Sequence, residues 1–488
     1  MALSKPIIYY TYDRKEYEEE RGLYFPIEEL GGVICNRSED LIVAIKNLIL
    51  NNEITSVQMK AQEKFCSYDD GKASSRVIDT FFLNKDIELN VPKGKKKKSI
   101  LFYGGPFIPN GITSSFINLL NHIDYDSYTV TIIVEPNATM NNYPERLAQI
   151  SKIDKRIAIL GRVGRMTLRL EEDWIIKKFS SQKDLTTNEM WDIFNKAHLR
   201  EMYRILGDNQ FDYFVNFEGY NTFWVSLFGS KNNNSLFLHS DIYEEWKLRF
   251  PYLEKNIKLY TSYKNIVSVS DTIMNVNIKK LSTLFNIEEE KFIYCNNVQN
   301  PKNILIKSKE EVELEDRFIF DQGIIFINIA RHSPEKDLEK LFKAFSVVVK
   351  KYPKVKLINL GSGPLENHLK SLVSTLKLKK NIFLLGQKLN PYPYLEKANC
   401  FVLSSNHEGQ PITLFESLIL KKPIIATDIA GNRSILENRS GLLVDNSIDG
   451  LVKGMTAFLE NGQKLKEFNY KEYNNEALDM FYNKILRN

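Results

Sequence analysis

The amino-acid sequence predicts an α/β protein whose main body contains two doubly wound parallel sheets. In two stretches of the chain, short runs rich in Ile, Val, Leu and Phe alternate with helical segments; SILFY at 99–103 and IIFINIA at 324–330 open these stretches. Such alternation is the pattern of a parallel sheet covered by helices. The 488 residues, with 43% hydrophobic and 12% aromatic content, suffice for two or three domains with sizeable cores.

Residues 1–92 are predicted to form a separate N-terminal piece. KPIIYYTYD at 5–13 predicts one strand, and apolar periodicity predicts helices over 39–50 and 73–83. One strand and a few helices bury little apolar surface, so this piece should either dock on the rest of the chain or be marginally stable. The lysine run that follows, VPKGKKKKS at 91–99, is either a patch for anionic polymers or lipid head groups or a solvated linker.

The first large domain is predicted over residues 98–300. Gly104 and Gly105 follow its first strand and allow a tight turn and a close approach of the backbone to a ligand, although they do not form a G-x-G-x-x-G pattern. His239 ends a later strand at the sheet edge where ligands bind, and a loop histidine without a role explains it equally well. Further strands are predicted at 128–136, 156–160, 211–217, 234–240, 265–271 and 291–298.

The second large domain is predicted over residues 301–470. Ser333 is expected to cap a helix whose first position is Pro334, which places Lys336 in the first turn, just after Arg331. A cation there is disfavoured by about 0.3–1 kcal/mol, so an anion such as a nucleotide diphosphate is expected between the two bases. The alternative is a loop with two solvent-exposed cations. After the last strand the chain is predicted to be helical to Asn488, with 471–488 crossing back to the first domain.

The stretch HEGQPITLFESL at 407–418 carries two glutamates, Glu408 and Glu416, on either side of a predicted helix start. A buried strand precedes it, and Pro411 suits the first turn of the helix. The helix N-terminus favours an anion, so carboxylates beside it make sense if they accept hydrogen bonds from the hydroxyls of a sugar and a ribose. The other interpretation is an ordinary helix with an acidic first turn.

Charge and composition limit the classes of function. The net charge of +5 is too mild to indicate nucleic acid, and it is compatible with anionic substrates or a membrane surface. The four cysteines are scattered and the six histidines are dispersed, so the sequence indicates a reducing cytosol and no metal site. No apolar run approaches the roughly 18 residues of a spanning helix. We therefore expect a cytoplasmic protein, either free or peripheral on the inner face of the membrane.

Four motifs of the second domain occur in the order found in a known family: ARHSPEK (330–336), LGSGP (360–364), HEGQPITLFESL (407–418) and ATDIAGN (426–432). They resemble the nucleotide-sugar-binding domain of retaining glycosyltransferases of family 4, glycosyl transferases group 1. The first domain, with YGGPFIPNGITSSF and FLHSD, resembles the acceptor half of that family. The resemblance implies a GT-B fold, in which two Rossmann-like domains face a cleft, here with a short N-terminal α/β appendage.

The N-terminal piece carries a second resemblance. KPIIYYTYDRKEYEEERGLYF at 5–25 and EKFCSYDDGKASSRVIDTFF at 63–82 are similar to the C-terminal end of the CDP-glycerol glycerophosphotransferases that polymerise teichoic acid. In that family the catalytic histidines lie upstream of the first of these segments, so none of its functional positions carries over. The resemblance implies a remnant, left by a fused two-enzyme polypeptide or a truncated reading frame.

The glycosyltransferase resemblance implies residue roles. Arg331 and Lys336 would neutralise the donor diphosphate as it leaves, Glu408 would contact the transferred sugar, Glu416 the ribose, and His239 would lie near the sugar; Arg331, Lys336, Glu408 and His239 are the expected catalytic set. The positions expected to bind the donor are Gly104, Gly105, Arg331, Lys336, Gly361, Gly363, Glu408, Gly409, Gln410, Pro411, Ile412 and Glu416.

Two positions depart from the family pattern. The family commonly has glycine after the motif lysine, where this chain has Asp337, and phenylalanine at the position of Gln410. The first departure could alter how the chain enters the helix. The second affects the expected contacts with the sugar, and therefore which donor is used.

Together these features predict a retaining glycosyltransferase that uses a nucleotide sugar, UDP-hexose or UDP-N-acetylhexosamine, and needs no cofactor or metal. Family members are described as reacting by front-face attack, with the donor phosphate helping to deprotonate the acceptor. The expected acceptor is a polyanionic or lipid-linked glycan of the cell envelope, such as teichoic acid or a capsular polymer. The alternatives are a protein of teichoic acid synthesis related to the CDP-glycerol glycerophosphotransferases, and a non-catalytic remnant.

Overall fold

The chain is divided between two compact units, Met1–Gly94 and Lys95–Asn488. The computed structural model describes residues 4–20, 23, 25–51, 53–66, 69–83, 97–135, 143–181, 183–437 and 439–487. The lysine run predicted as a patch or linker lies mostly at 91–96, outside the described residues.

The described part of the N-terminal unit contains a two-stranded parallel sheet and four α-helices. Its strands are Ile8–Tyr10 (β1) and Val33–Cys35 (β2), and its helices are Arg14–Glu20 (α1), Ser38–Leu50 (α2), Ser56–Phe65 (α3) and Ala73–Val77 (α4). The prediction of a single strand was wrong, because β2 is only three residues long and lacks a strong apolar run. Helix α2 leaves several large apolar side chains exposed, among them Ile49 and Leu50.

The first large domain contains a seven-stranded parallel sheet in the order β5-β4-β3-β6-β7-β8-β9. Its strands are Lys98–Tyr103 (β3), Tyr128–Val134 (β4), Ala158–Gly161 (β5), Tyr213–Asn216 (β6), Asn234–Leu238 (β7), Asn265–Ser268 (β8) and Phe292–Tyr294 (β9). Its helices are Gly111–Leu120 (α5), Pro144–Ile150 (α6), Leu170–Ser180 (α7), Asn188–Leu206 (α8), Thr222–Gly229 (α9), Ile242–Leu248 (α10), Leu253–Lys258 (α11) and Asp271–Phe285 (α12). The strands are apolar on both faces because helices cover both sides, as in β3, where Phe102 and Leu101 enter opposite cores.

The second large domain contains a six-stranded parallel sheet in the order β12-β11-β10-β13-β14-β15. Its strands are Ile325–Ile329 (β10), Lys356–Leu360 (β11), Ile382–Leu384 (β12), Cys400–Leu403 (β13), Ile424–Thr427 (β14) and Leu442–Val444 (β15). Its helices are Pro301–Lys307 (α13), Leu338–Lys351 (α14), Glu366–Thr375 (α15), Tyr392–Lys397 (α16), Ile412–Ile419 (α17), Ala430–Leu436 (α18) and Ile448–Asn461 (α19). In both sheets the strand order reverses beside the first strand of the domain, as in doubly wound folds.

The C-terminal segment joins the cores of the two large domains. Residues 462–469 are not helical, so the prediction of continuous helix to Asn488 was wrong; Gly462, with φ +63°, ends α19. The last α-helix, Tyr470–Met480 (α20), continues as a short π-helix over Phe481–Ile485. Tyr473 packs in the core of the second domain, whereas Ala477 and Phe481 pack in the core of the first.

Candidate functional site

The predicted site residues cluster at the strand ends where the order of each sheet reverses. In the first domain, β3 leads into Gly104 and Gly105, and the neighbouring β6 leads into Glu218. In the second domain, β10 leads into the loop containing Arg331, and β13 leads into the loop containing Glu408. Ligands of doubly wound sheets bind at the carboxyl ends of the strands beside this reversal.

The loop after β10 differs from its prediction. Pro334–Lys336 form one short 3₁₀ turn, and α14 begins at Leu338, so Lys336 does not lie in the first turn of an α-helix. The residue between them, Asp337, adopts the left-handed conformation with φ +43°. Its carboxylate accepts the N–H of Lys340 at 3.1 Å, so Asp337 rather than Ser333 caps the helix. A left-handed residue explains why glycine suits this position, and capping explains how aspartate replaces it.

Lys336 is paired with a carboxylate rather than crowded by a second cation. Its Nζ lies 2.5 Å from Oε1 of Glu408, which also accepts a 2.6 Å hydrogen bond from the hydroxyl of Ser405. The side chain of Glu408 is 9% exposed and that of Lys336 is 21% exposed. The expected cost of an uncompensated lysine at a helix end is therefore absent, and Glu408 supplies the anion.

Arg331 is exposed, and no acceptor or ion-pair partner of its guanidinium occurs in the described part of the chain. The loop that contains Arg331 packs against the glycines that follow β11. A Cβ atom at Gly361 would lie 2.0 Å from the carbonyl oxygen of Ala330, and one at Gly363 would lie 2.6 Å from that of His332. These glycines therefore let the two loops touch, which is the structural reason for the LGSGP pattern.

The loops after β10 and β13 are bonded to each other at several points. Asn406 donates its backbone N–H to the carbonyl of Glu335 at 2.8 Å and its side-chain amide to Asp337 at 2.9 Å. The buried amine of Lys340 donates to the side-chain oxygens of Asn406 and Asn446, both at 2.5 Å. Burial lowers the pKa of Lys340. These bonds fix the loop that carries Lys336 relative to the loop that carries Glu408.

Glu416 is the fifth residue of α17, about one turn into the helix, where it is half-buried. Its Oε1 accepts the hydroxyl of Tyr392 at 3.0 Å, and burial raises the pKa of the carboxyl to about 7. Pro411 is the residue just before the helix, and Ile412 is its first member, one position later than predicted. The first N–H groups of such a helix have no intrahelical acceptor.

Glu408 and its neighbours face the first domain. A Cβ atom at Gly409 would lie 1.6 Å from the carbonyl oxygen of His239, so only glycine permits this approach. One at Gly111 would lie 3.6 Å from Cδ1 of Ile412, an ordinary contact. The structure therefore brings the HEGQPI segment and the strand end at His239 together.

The ring of His239 is oriented by the backbone. Its Nε2 lies 2.5 Å from the carbonyl oxygen of Phe217, and burial lowers the pKa of the ring to about 4. Because a carbonyl only accepts, Nε2 carries the proton, and Nδ1 of the neutral ring is left as an acceptor. A hydroxyl group can donate to such an atom.

The glycines after β3 have packing roles. A Cβ atom at Gly104 would lie 1.9 Å from the ring of Phe116, so glycine is required for α5 to pack on the strand. Gly105, with φ +86°, borders the side chain of Glu218.

Glu218 was not among the predicted site residues. Its Oε2 accepts the backbone N–H groups of Tyr220 and Asn221, each at 2.9 Å, and burial raises its pKa. It borders a cavity of about 390 Å³ that is also lined by Tyr220, Asn221, Thr222, Phe223 and Tyr252. A carboxylate directly after a buried strand, followed by glycine, was the available signal in the sequence.

The described residues contain no group of three or more His, Cys, Asp and Glu side chains that could hold a metal ion. They also contain no helix with both the length and the apolarity needed to cross a bilayer.

Two families match parts of the chain. Residues 309–475 match the glycosyl transferases group 1, and residues 1–83 match the CDP-Glycerol:Poly(glycerophosphate) glycerophosphotransferases. Both resemblances predicted from the motifs are thereby confirmed. The site residues Arg331, Lys336, Glu408 and Glu416 all lie within the first match.

Two curated relatives match part of the chain. An uncharacterized glycosyltransferase of Methanocaldococcus jannaschii is 38% identical over 180 residues, which is 37% of this chain and 44% of that protein. A poly(ribitol-phosphate) alpha-N-acetylglucosaminyltransferase of Staphylococcus aureus is 30% identical over 161 residues, which is 31% of this chain and 33% of that protein. The chain thus spans less than half the length of either relative.

The fold of the two large domains has been seen before. The Anabaena protein HepE, solved in complex with UDP, superposes with a TM-score of 0.56 at 13% identity, covering 79% of this chain and all of that one. The two parallel sheets and their strand order therefore form a GT-B fold, as the sequence predicted.

Proposed function

We propose that this chain is a retaining glycosyltransferase that moves a hexose or N-acetylhexosamine from a UDP sugar to a polymer of the cell envelope. The observation that carries the proposal is the arrangement at the second sheet. An exposed guanidinium, Arg331, and the Lys336–Glu408 pair lie on two bonded loops that face His239 of the first domain. In this proposal the cations serve a diphosphate, and the neighbouring carboxylate and histidine accept hydroxyls of a sugar.

Each residue has a role that its contacts allow. A donor diphosphate would take Lys336 away from Glu408 and use Arg331, and the free backbone N–H groups at the start of α17 would favour the same anion. Glu408, released from Lys336, would accept hydroxyls of the transferred sugar. His239 would accept another hydroxyl through Nδ1, which is a binding role and not that of a proton carrier, since its pKa is about 4.

The proposed chemistry depends on charge stabilisation. The bond from the sugar to the diphosphate breaks as the acceptor hydroxyl attacks the same face, and the departing phosphate oxygen takes the hydroxyl proton. Arg331 and Lys336 stabilise the negative charge that develops on the diphosphate. Because these two cations supply the charge that a metal ion could supply, we expect transfer to be unaffected by EDTA.

Donor and acceptor are proposed from relatives. A protein with the same fold has been solved in complex with UDP, and one relative is named a poly(ribitol-phosphate) alpha-N-acetylglucosaminyltransferase. The match of residues 1–83 points to the same class of glycerol- or ribitol-phosphate polymers. On the acceptor side, the cavity beside Glu218 offers a carboxylate and the aromatic residues Tyr220, Phe223 and Tyr252 to a sugar or polyol. A cytoplasmic site near the membrane, where such polymers are assembled, fits this role.

The test is a screen of UDP-, GDP- and CDP-activated sugars against glycerol- and ribitol-phosphate polymers. We expect transfer from a UDP sugar with retention at the anomeric carbon. Lys336→Ala and Glu408→Gln should each lower kcat/KM by about 10²–10³-fold. Lys343→Ala, which removes an exposed lysine paired with Glu339 on α14, is the matched control and should leave kcat/KM unchanged. Full transfer by both site variants would refute the assignment.

A second candidate is favoured by the match of residues 1–83, namely a protein of teichoic acid synthesis that transfers glycerol phosphate. CDP-glycerol in the same screen distinguishes the two. Incorporation of glycerol phosphate, unaffected by Lys336→Ala, would support this candidate. Absence of both nucleotide binding and transfer would instead indicate a non-catalytic remnant.

A further inference from the structure

Two segments of the chain pass between the large domains, and they are bonded to each other. The first is the stretch 295–300 between β9 and α13, and the second is α20. Gln299 donates its backbone N–H to the side-chain oxygen of Asn474 at 2.9 Å, and Asn474 returns its side-chain amide to the carbonyl of Gln299 at 2.9 Å. Both side chains are buried. Any rotation of one domain against the other must pass through this pair of segments.

The loop between β13 and α17, residues 404–411, is called the donor loop. One of its side chains contacts both segments. The side-chain oxygen of Gln410 accepts the backbone N–H of Asn297 at 3.1 Å. Its amide donates to the hydroxyl of Tyr473, on α20, at 3.3 Å. Phenylalanine, which the family resemblance places at this position, could make neither bond.

The residues around Gln410 contact the first domain on one side and α20 on the other. On one side, Gly409 touches the carbonyl of His239, and Glu408 pairs with Lys336. On the other side, Tyr473 packs against Phe415 of α17, with ring centres 4.9 Å apart. The loop that carries Glu408 is therefore fixed between the sheet edge of the first domain and the two crossing segments.

We propose that Gln410 is a positioning residue that couples the donor loop to the two crossing segments, so that the placement of Glu408 depends on the arrangement of the domains. The proposal rests on the function proposed above for its effect on transfer. Its structural part, a restraint on the domain arrangement, stands on the hydrogen bonds alone. Because the donor loop and Tyr473 both pack in the second domain, rotation of the domains strains the bond from Asn297, while the bond to Tyr473 fixes the side chain of Gln410 that accepts it.

Two variants remove these bonds from opposite ends. Gln410→Met keeps a side chain of similar length without hydrogen-bonding groups, and Tyr473→Phe removes only the hydroxyl. Gln410→Glu can still accept from both the N–H of Asn297 and the hydroxyl of Tyr473, and serves as rescue. Tyr394→Phe is the matched control, because it removes a buried hydroxyl bonded to Asp316 at 2.7 Å within the second domain.

The domain arrangement is measured without ligand by the distance between spin labels at Leu170→Cys and Leu389→Cys, both exposed, in a Cys66→Ser background. We expect Gln410→Met and Tyr473→Phe to broaden the distance distribution. The double variant should do so no more than Gln410→Met alone, because both remove the same coupling. Gln410→Glu and Tyr394→Phe should keep the wild-type width.

Transfer kinetics supply the second readout. We expect Gln410→Met to lower kcat by about tenfold, with UDP affinity within about twofold of wild type. If the distance distribution of Gln410→Met has the wild-type width, the proposal is overturned. It is also overturned if the distribution broadens but kcat stays at the wild-type value. If wild type transfers no sugar, the proposed function fails, and the distance measurement alone decides whether Gln410 restrains the domains.

Discussion

The half-buried carboxyl of Glu416, which is expected to contact the ribose, changes its ionisation near neutral pH. Burial raises the pKa of Glu416 from an ordinary value of 4.5 to about 7, despite the hydrogen bond from Tyr392. The protonated form is therefore favoured in the folded protein near neutral pH. Ribose hydroxyls, however, are best bound by the ionised form, which offers two acceptor oxygens. We therefore expect ionisation of this carboxyl to lower stability and to favour nucleotide binding.

From this shift we predict two pH dependences. A raised pKa in the folded state means that stability falls as pH rises from about 4.5 to about 7, by about 1–2 kcal/mol for a half-buried group. UDP affinity should rise over the upper part of this range. Glu416→Gln should remove both effects, as judged by urea unfolding and calorimetric titration with UDP. Equal pH profiles for wild type and variant would contradict the prediction.

Asp337 both caps α14 and adopts a positive φ, and substitutions at this position separate the two effects. Asp337→Asn should lose the least stability of the three variants, because asparagine both caps helices and tolerates the left-handed region and gives up only the second acceptor oxygen that Asp337 offers to Asn406. Asp337→Gly removes the cap but adopts the positive φ without strain, so its free energy of unfolding should fall by about 1 kcal/mol. Asp337→Ala loses the cap and strains the φ of +43°, and should lose about 2–3 kcal/mol. Urea unfolding of the three variants tests this order.

At the scale of elements, the strands of the two large sheets were predictable but the ends of helices were not. Buried strands such as β13 are continuous apolar runs, so the two sheets followed from the sequence. The start of α14 was wrong because Ser333 and Pro334 resemble a helix start, whereas a tighter turn precedes the cap at Asp337. The Lys336–Glu408 pair joins residues 72 positions apart and has no local signal.

Glycine contacts between elements give a matched pair of variants. Gly409→Ala places a methyl group 1.6 Å from the backbone carbonyl of His239, so the loop before α17 must shift away from the first domain. Gly111→Ala, also at the contact between domains, places its methyl group 3.6 Å from Ile412, where there is room. We expect Gly409→Ala to lower kcat/KM by at least about tenfold, since displacement of about 1 Å strongly affects catalysis. Gly111→Ala should have no effect; similar losses in both variants would show that the close approach is unimportant.

At the scale of the whole molecule, charged side chains of the two large domains meet beside the donor loop. Nε2 of His407 lies 3.5 Å from a carboxylate oxygen of Glu245, a buried residue of α10. The same carboxylate is 3.3 Å from Arg249, whose guanidinium is 3.6 Å from Glu335 in the second domain. Two contacts of opposite charge therefore hold the domains together across the cleft.

One of these contacts should depend on pH. Burial lowers the pKa of His407, but the carboxylates of Glu245, Asp241 and Glu408 outweigh it, so the net pKa lies above the ordinary 6.5. Arg249 also faces Glu245 and reduces this effect without titrating. A raised pKa means that the contact contributes fully below pH 6.5 and is lost as pH rises through the pKa of His407.

The domains should accordingly separate more readily as pH rises, and His407→Gln should remove this dependence. The measurement is the ligand-free distance between spin labels at positions 170 and 389, followed across neutral pH in both proteins. Glu245→Gln is a useful second variant, because it removes the partner and should lower the pKa of His407 in a histidine NMR titration. Because the pair is mostly buried, added salt should weaken the pH dependence only modestly. If wild type and His407→Gln share one pH profile, another group controls the contact between the domains.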